Sequence, residues 1–295
     1  MTGRDGQLGR WLVRIAQSDP GLCLVGAFGR ADADFGDPAS LPALLDRCTE
    51  PPEAWLNAAA YTAVDRCEQE KALALRVNAE APGRLAGACG ERGIRFAHVS
   101  TDFVFDGAAR APYPETAAPH PLGAYGRTKR AGEEAVLEAH DRALVVRTSW
   151  VYGPGPNFVR TMIREADKRA RGEVATPLSV VADQRGRPTY SADLARALLD
   201  LLAADATGIV HFANEGEASW WELARESLDL AGFAGVPIER IGARDYVRAA
   251  PTPMYSVLDL GRARSFGVEP RPWREALADY LASDDRPTAG AGKAG

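Results

Sequence analysis

Thr2-Gly3-Arg4-Asp5-Gly6-Gln7-Leu8-Gly9 opens the chain, and its reading decides the fold. Three glycines at this spacing run straight into Leu8-Gly9-Arg10-Trp11-Leu12-Val13, a stretch of helical periodicity. A helix N-terminus leaves backbone N–H groups without partners, and these hold an anion such as a pyrophosphate when no side chain stands in the way. Gly3 then permits the tight turn, Gly6 the close approach of the anion, and Gly9 the packing of helix on strand. The glycines alone would equally suit a flexible chain end. The helical run behind them favours the cradle.

Such a turn hangs from the C-terminal end of a buried central strand, yet only Met1 precedes Thr2. The expectation is therefore a truncated first strand, with about five to eight apolar, β-branched residues ahead of Met1 in the natural gene product. Further along, apolar or β-branched runs at 22–28, 54–57, 95–100, 143–148 and 208–212 read as buried parallel strands. Helical periodicity fills 8–17, 78–90, 125–140, 158–171, 191–203 and 219–231. This alternation predicts a doubly wound parallel α/β sheet with helices on both faces. Pro177, Pro188, Pro237, Pro251, Pro253, Pro270 and Pro272 break the rhythm later in the chain. They predict a smaller C-terminal lobe over the edge of the sheet where such folds bind ligands. The division expected is 1–152 with 190–212 for the first domain, 153–189 with 213–282 for the lobe, and a disordered tail over 283–295.

The bulk numbers remove several function classes. A net charge of -5 offers no attraction for nucleic acid or an anionic membrane. No apolar run approaches the ~20 residues of a membrane span, and Met1-Thr2-Gly3-Arg4-Asp5 has neither a basic leader nor an apolar core, so a cytoplasmic protein is expected. Cys23, Cys48, Cys67 and Cys89 form no CxxC pair, and His98, His120, His140 and His211 lack ligand spacing. Neither a disulfide framework nor a metal site is expected.

Tyr125-Gly126-Arg127-Thr128-Lys129 supplies a phenol and an ammonium four residues apart, on one face of a helix. An ammonium beside a phenol lowers its pKa, which suits the phenol to pass a proton to a developing alkoxide. YxxxK by itself also describes many solvated helix faces. Its position after the strand ending His98-Val99-Ser100-Thr101-Asp102 favours chemistry, because a hydroxyl at that strand end can donate to a carbonyl oxygen. Ser100 and Thr101 are both candidates.

With glycine turn, strand end and YxxxK in this order, the chain resembles the extended short-chain dehydrogenases, and within them the dTDP-4-dehydrorhamnose reductase family. The likeness runs from Thr2 to about Leu281. It is carried by Gly6-Gln7-Leu8-Gly9, Asn57-Ala58-Ala59-Ala60-Tyr61-Thr62-Ala63-Val64-Asp65, Val77-Asn78 and Ser100-Thr101-Asp102-Phe103-Val104-Phe105-Asp106-Gly107. Later come Tyr125 to Lys129, Arg147-Thr148-Ser149-Trp150-Val151-Tyr152-Gly153, Asn157-Phe158-Val159-Arg160-Thr161-Met162, Asp183-Gln184-Arg185-Gly186-Arg187-Pro188-Thr189 and Ser219-Trp220.

The resemblance implies a Rossmann-type fold and NAD(P)H-dependent reduction of the 4-keto group of a dTDP-4-keto-6-deoxyhexose, leading with dTDP-4-dehydro-L-rhamnose. It implies Thr101, Tyr125 and Lys129 as the catalytic set, with Tyr125 the proton donor. Gly3, Gly6, Gln7 and Leu8 would cradle the pyrophosphate, Asp34 and Phe35 would lie beside the adenosine, and Ala59, Ala60 and Tyr61 would line the cofactor cleft together with Tyr125 and Lys129. Val64, Thr101, Asp102, Phe103, Tyr125 and Trp150 would surround the sugar, Trp150 as a stacking platform.

Two segments depart from the family pattern. Phe103 stands where a tyrosine is usual, and Ala250-Pro251-Thr252-Pro253 replaces an arginine-rich segment. Both fall on the substrate side and keep a sister 4-ketoreductase for a streptose- or antibiotic-type sugar in play. A third reading is a non-catalytic subunit like the regulatory subunits of methionine adenosyltransferase; joint retention of Thr101, Tyr125 and Lys129 argues against it. Arg30 offers a partner to a 2′-phosphate while Asp32 and Asp34 would repel one, so NADH and NADPH both stay open. Monomer and homodimer are equally open.

Overall fold

A computed structural model describes residues 1–287. Four parallel strands form the sheet in the order Ala54–Asn57, Arg95–Thr101, Leu144–Thr148, Gly208–His211. Each follows a helical crossover, so both sheet faces are covered. The strands accordingly bury residues of both parities. Leu144 and Val146 face a core built with the helices Gln7–Ser18 and Ser191–Ala203, while Val145 faces the core beneath Ala81–Glu91 and Ala124–Ala139. This is the doubly wound Rossmann-type arrangement expected.

The first strand is a stub, but it is in place. Met1 and Thr2 lie between the backbone at Phe28 and the strand Ala54–Asn57. Thr2 N–H donates to Leu56 O at 3.0 Å, Ala58 N–H to Thr2 O at 3.0 Å, and Phe28 N–H to Met1 O at 2.9 Å. The expected strand over 22–28 is the element that shrinks, to a bridge at Phe28, because the two-residue stub offers it little ladder. The chain thus passes from the stub outward to Phe28, then back across it to Ala54–Asn57. The order reverses beside Thr2, and a crevice opens there at the C-terminal ends of the strands.

A separate apolar core serves the second part of the molecule. Val159 and Ile163 of the helix Phe158–Ala170, Leu223 and Leu228 of Trp220–Leu230, and Leu277 and Tyr280 of Trp273–Ala282 pack around the parallel strand pair Leu178–Val181 and Ile238–Ile241. The helix Trp220–Leu230 starts on a capping box between Ser219 and Glu222. Of the tail, 283–287 lie within the described residues, and Asp285 pairs there with Arg14; 288–295 lie outside them.

Candidate active site

Gly3 adopts φ +86°, a conformation open to glycine, and a Cβ there would stand 2.6 Å from Ala58 C and Ala59 N. Gly9 brings the first helix down on the turn: its Cβ would lie 2.0 Å from Gly3 O. A Cβ on Gly6 would meet only Gly3 O, at 3.4 Å, so the space in front of Gly6 is open. Gly6 is the N-cap of Gln7–Ser18, and no side chain caps that helix. Its leading N–H groups remain available to an anion. Gln7 stands at the mouth of this cradle, its Oε1 buried without a partner. Leu8 is a core residue and contributes backbone only. The residues present therefore fit a dinucleotide pyrophosphate.

The adenosine side differs from expectation. Phe35 is buried among Leu41, Leu44 and Trp55, where a short hydrophobic segment packs on it, and exposes little surface to a ligand. Asp34 caps its own turn by accepting from Gly36 N–H at 2.7 Å. The acid beside the glycine turn is Asp32. It accepts from Gly29 N–H at 2.8 Å and pairs with Arg4 at 3.1 Å.

On the other side of the crevice, Ala59 N–H donates to Asn57 Oδ1 and Tyr61 N–H to Asn78 Oδ1. The resemblance implies no role for Asn78. It is fully buried, and its Nδ2 donates to Tyr61 O and to the Thr128 hydroxyl, tying the crevice loop to the YxxxK helix. An amide in an otherwise helical apolar run is the sequence signal that marks it.

At the strand end the two candidate hydroxyls separate. Ser100 Oγ is committed to Glu133 at 2.5 Å, within a buried cluster where Arg147 holds both Glu133 oxygens at 2.8 and 2.7 Å. Thr101 Oγ1 faces the cleft, accepting from Phe103 N–H at 3.2 Å and donating to Asp102 Oδ1 at 3.1 Å. Burial raises the Tyr125 phenol above its ordinary value, with the neighbouring Thr101 hydroxyl opposing. Asp102 is buried too. Desolvation pushes it up to about 6, against the Ser256 and Thr101 hydroxyls that stabilise its ionised form. Ser256, which donates at 2.5 Å, was not anticipated and comes from 154 residues away.

The helix Ala124–Ala139 presents Tyr125 beside Thr101 because its start is pinned: Ala124 N–H donates to Glu68 at 2.6 Å. Lys129 is buried, and its Nζ reaches Val99 O at 2.7 Å and His98 Nε2 at 3.0 Å.

Phe103 packs edge-on against Tyr125 with ring centroids 5.5 Å apart. Val64 opens the short helix Val64–Cys67, whose Asp65 accepts from Ala250 N–H at 2.9 Å and pairs with Arg248 at 3.3 Å. Those contacts place Val64 beside the rim of a cavity of about 770 Å³ lined by Phe158, Gln184, Trp220, Arg248 and Thr252. This size suits a nucleotide sugar. Trp150 does not offer a free face to that cavity. Trp220 stacks on it at 3.6 Å and 8°, and Gly186 lies against the same indole, where a Cβ would stand 2.5 Å from Cε2. Trp220 is the indole that lines the cavity, a position only the second core could assign.

A sequence profile of the family described as RmlD substrate binding domain matches residues 1–286. A probable dTDP-4,6-dihydroxy-2-methyloxan-3-one 4-ketoreductase of Streptomyces antibioticus is 42% identical over 98% of this chain and 97% of its own. A dTDP-4-dehydrorhamnose reductase of Streptomyces griseus is 42% identical over 95% and 91%. The crystal structure of dTDP-4-dehydrorhamnose reductase from Bacillus anthracis, in complex with NADP, superposes with a TM-score of 0.86 at 34% identity, covering 95% of this chain and 97% of that one. Glycine turn, strand-end threonine and YxxxK helix are thus set in a fold shared along nearly the whole length, and the chain belongs to the RmlD substrate binding domain family.

Proposed function

We propose that this protein reduces the 4-keto group of dTDP-4-dehydro-L-rhamnose to dTDP-L-rhamnose with NADPH or NADH. The observation that supports the reading is that the glycine turn and Thr101 leave parallel strands at the same C-terminal edge of the sheet, with Phe103 holding the Tyr125 ring there. A bound reduced dinucleotide supplies the hydride. The Thr101 hydroxyl and the Tyr125 phenol donate to the carbonyl oxygen, and Tyr125 gives up its proton as that oxygen becomes an alkoxide. Burial keeps the phenol protonated and ready to donate. The open backbone at Gly6 and the first turn of Gln7–Ser18 hold the pyrophosphate. Trp220 replaces Trp150 as the aromatic floor of the sugar site.

Phe103 and Thr252 favour a second reading, a sister 4-ketoreductase for another dTDP-deoxysugar. Beside Tyr125, Phe103 offers an apolar edge. Thr252 accepts a hydrogen bond from Gln184 at 2.7 Å and carries no charge toward a diphosphate. The relative from Streptomyces antibioticus bears the name of such an enzyme. Turnover measured on a panel of dTDP-4-keto sugars tests both. Preference for the rhamno substrate supports the first, preference for another sugar the second, and no turnover on any returns the chain to the binding-subunit reading.

No helix among the described residues is long and apolar enough to cross a membrane, and a cytoplasmic monomer or homodimer accords with this function. The separate apolar core of the second part accords with the proposed division into a dinucleotide domain and a substrate lobe.

A further inference from the structure

Lys129 shares a helix face with Tyr125, yet both of its named contacts lie on the strand Arg95–Thr101: Val99 O and the imidazole of His98. That imidazole is fully buried, and its other nitrogen, Nδ1, lies 3.0 Å from Asn57 Nδ2. The Asn57 amide can point only one way. Its Oδ1 accepts from the backbone N–H of Ala59 at 3.1 Å and from the Thr2 hydroxyl at 2.8 Å. Reversing the amide would set its NH₂ against the Ala59 N–H. Asn57 therefore donates to His98 Nδ1, which must accept.

A neutral imidazole carries one N–H. With Nδ1 accepting, that hydrogen is on Nε2 and points at Lys129 Nζ. An ammonium has three donors and no lone pair to receive it, whereas a neutral amine has one. The other tautomer, or an imidazolium, would force Nδ1–H against the Asn57 NH₂ in a fully buried place, leaving a donor facing a donor.

We propose that His98 is a positioning residue which, in the free protein at alkaline pH, holds Lys129 as a neutral amine by donating Nε2–H to it, and releases it toward Tyr125 when the amine gains a proton. Protonation fills the lone pair, so the contact with Nε2–H becomes donor against donor. Nζ then moves off His98 into the cleft, keeping Val99 O within reach. The step adds one proton from solvent and breaks one hydrogen bond. It rests on the reductase reading only for the roles given to Tyr125 and Lys129.

The surroundings fit. Burial brings Lys129 down to about 8, with Glu133 opposing, and holds His98 well below its ordinary value, with Lys129 adding to the effect. Glu133 is the acid on the same helix, but its carboxylate is already taken by Arg147 and Ser100. From the strand side His98 faces the amine, and Asp102 and Tyr125 stand at the cleft end.

The chain has four lysines, Lys71, Lys129, Lys168 and Lys293, so a carbon-13 label at lysine Cε resolves each in an NMR titration of the free protein. Lys129→Met identifies its signal. The expected midpoint for Lys129 is near 8, against an ordinary value of 10.5. His98→Gln can turn an oxygen toward the ammonium, and is expected to raise the midpoint by roughly one unit or more. Nitrogen-15 spectra of labelled histidine should show His98 neutral with its hydrogen on Nε2. A Lys129 that stays charged to pH 10, a midpoint unmoved in His98→Gln, or a hydrogen on Nδ1 would each overturn the proposal. Should His98→Gln fail to fold, the wild-type midpoint and tautomer decide alone. Absence of turnover on all 4-keto sugars would remove the reductase reading and leave these spectra standing.

Discussion

Tyr125 owes its proposed role to where the helix starts as much as to what it is. Glu68 pins Ala124, and Phe103 packs against the phenol ring, so the hydroxyl is held beside Thr101. Tyr125→Phe removes the proposed proton donor and little else. It should lower kcat by about 10²–10⁴-fold while dinucleotide affinity, read by fluorescence titration, stays near wild type. Near-normal turnover would take Tyr125 out of the chemistry. Phe103→Tyr adds a hydroxyl at the sugar side of the same ring pair. Sites that hydrogen-bond a substrate hydroxyl discriminate strongly for it, so relative kcat/KM among dTDP-4-keto sugars should change; a uniform effect on every sugar would deny Phe103 a part in selection. The two stacked indoles divide structure from binding. Trp150 has φ +48° and is covered by Trp220 and Gly186, so Trp150→Ala should chiefly lower the melting temperature. Trp220→Ala should chiefly raise KM for the sugar nucleotide. The reverse pattern would restore Trp150 as the platform.

Gly6, which caps the helix Gln7–Ser18, and Gly9, in its first turn, have opposite tasks. A methyl group at Gly9 would fall 2.0 Å from Gly3 O, whereas one at Gly6 would meet only that oxygen at 3.4 Å. Gly9→Ala must push the helix off the turn, and overpacking of this kind typically costs about 1–3 kcal/mol. Gly6→Ala should melt like wild type yet bind NADPH much more weakly, because its methyl occupies the approach to the N–H groups. Calorimetric melting and an NADPH titration on both variants check the pair. Equal melting temperatures with unchanged binding in Gly6→Ala would show that the anion does not come to this turn.

At the scale of the whole molecule, the strand ends bury ionisable groups that solvent would otherwise charge. Asp102 rises from 3.8 to about 6 on burial. A carboxyl whose folded pKa exceeds its unfolded one adds stability that is full below pH 3.8 and lost as pH rises through 6. Lys129, lowered to about 8, acts in the other sense: its contribution is full above 10.5 and lost as pH falls through 8. Neutral pH is where both groups weigh against folding. Asp102→Asn should therefore remove a loss on the order of 2–3 kcal/mol between pH 4 and 7, seen as a flatter urea-unfolding midpoint across that range. A variant whose midpoint falls with pH as steeply as wild type would show that Asp102 ionises freely in the fold.

The local part of this protein was readable along the chain. Glycine spacing, strand–helix alternation and Tyr125 four residues before Lys129 are set by backbone sterics and helical period, which act over a few residues, and the family resemblance rested on them. Thr2 shows the limit: its role as a strand stub depends on hydrogen bonds to Phe28, Leu56 and Ala58 that no neighbour in sequence supplies. The same holds wherever two distant segments compete for one place. Ser100 and Thr101 were equivalent until Glu133 and Arg147 claimed Ser100. Phe35 became core because the segment from Leu41 to Leu45 packs on it, and Trp220 takes Trp150's place in the proposed sugar site because the second core stacks one indole on the other. The partners of His98, Asn57 and Ser256 follow no pattern in sequence, since buried polar groups find them across the sheet. Short-range geometry determined the fold class and the set of candidate reacting groups; long-range packing and the need to satisfy each buried polar atom decided which of them face the cleft.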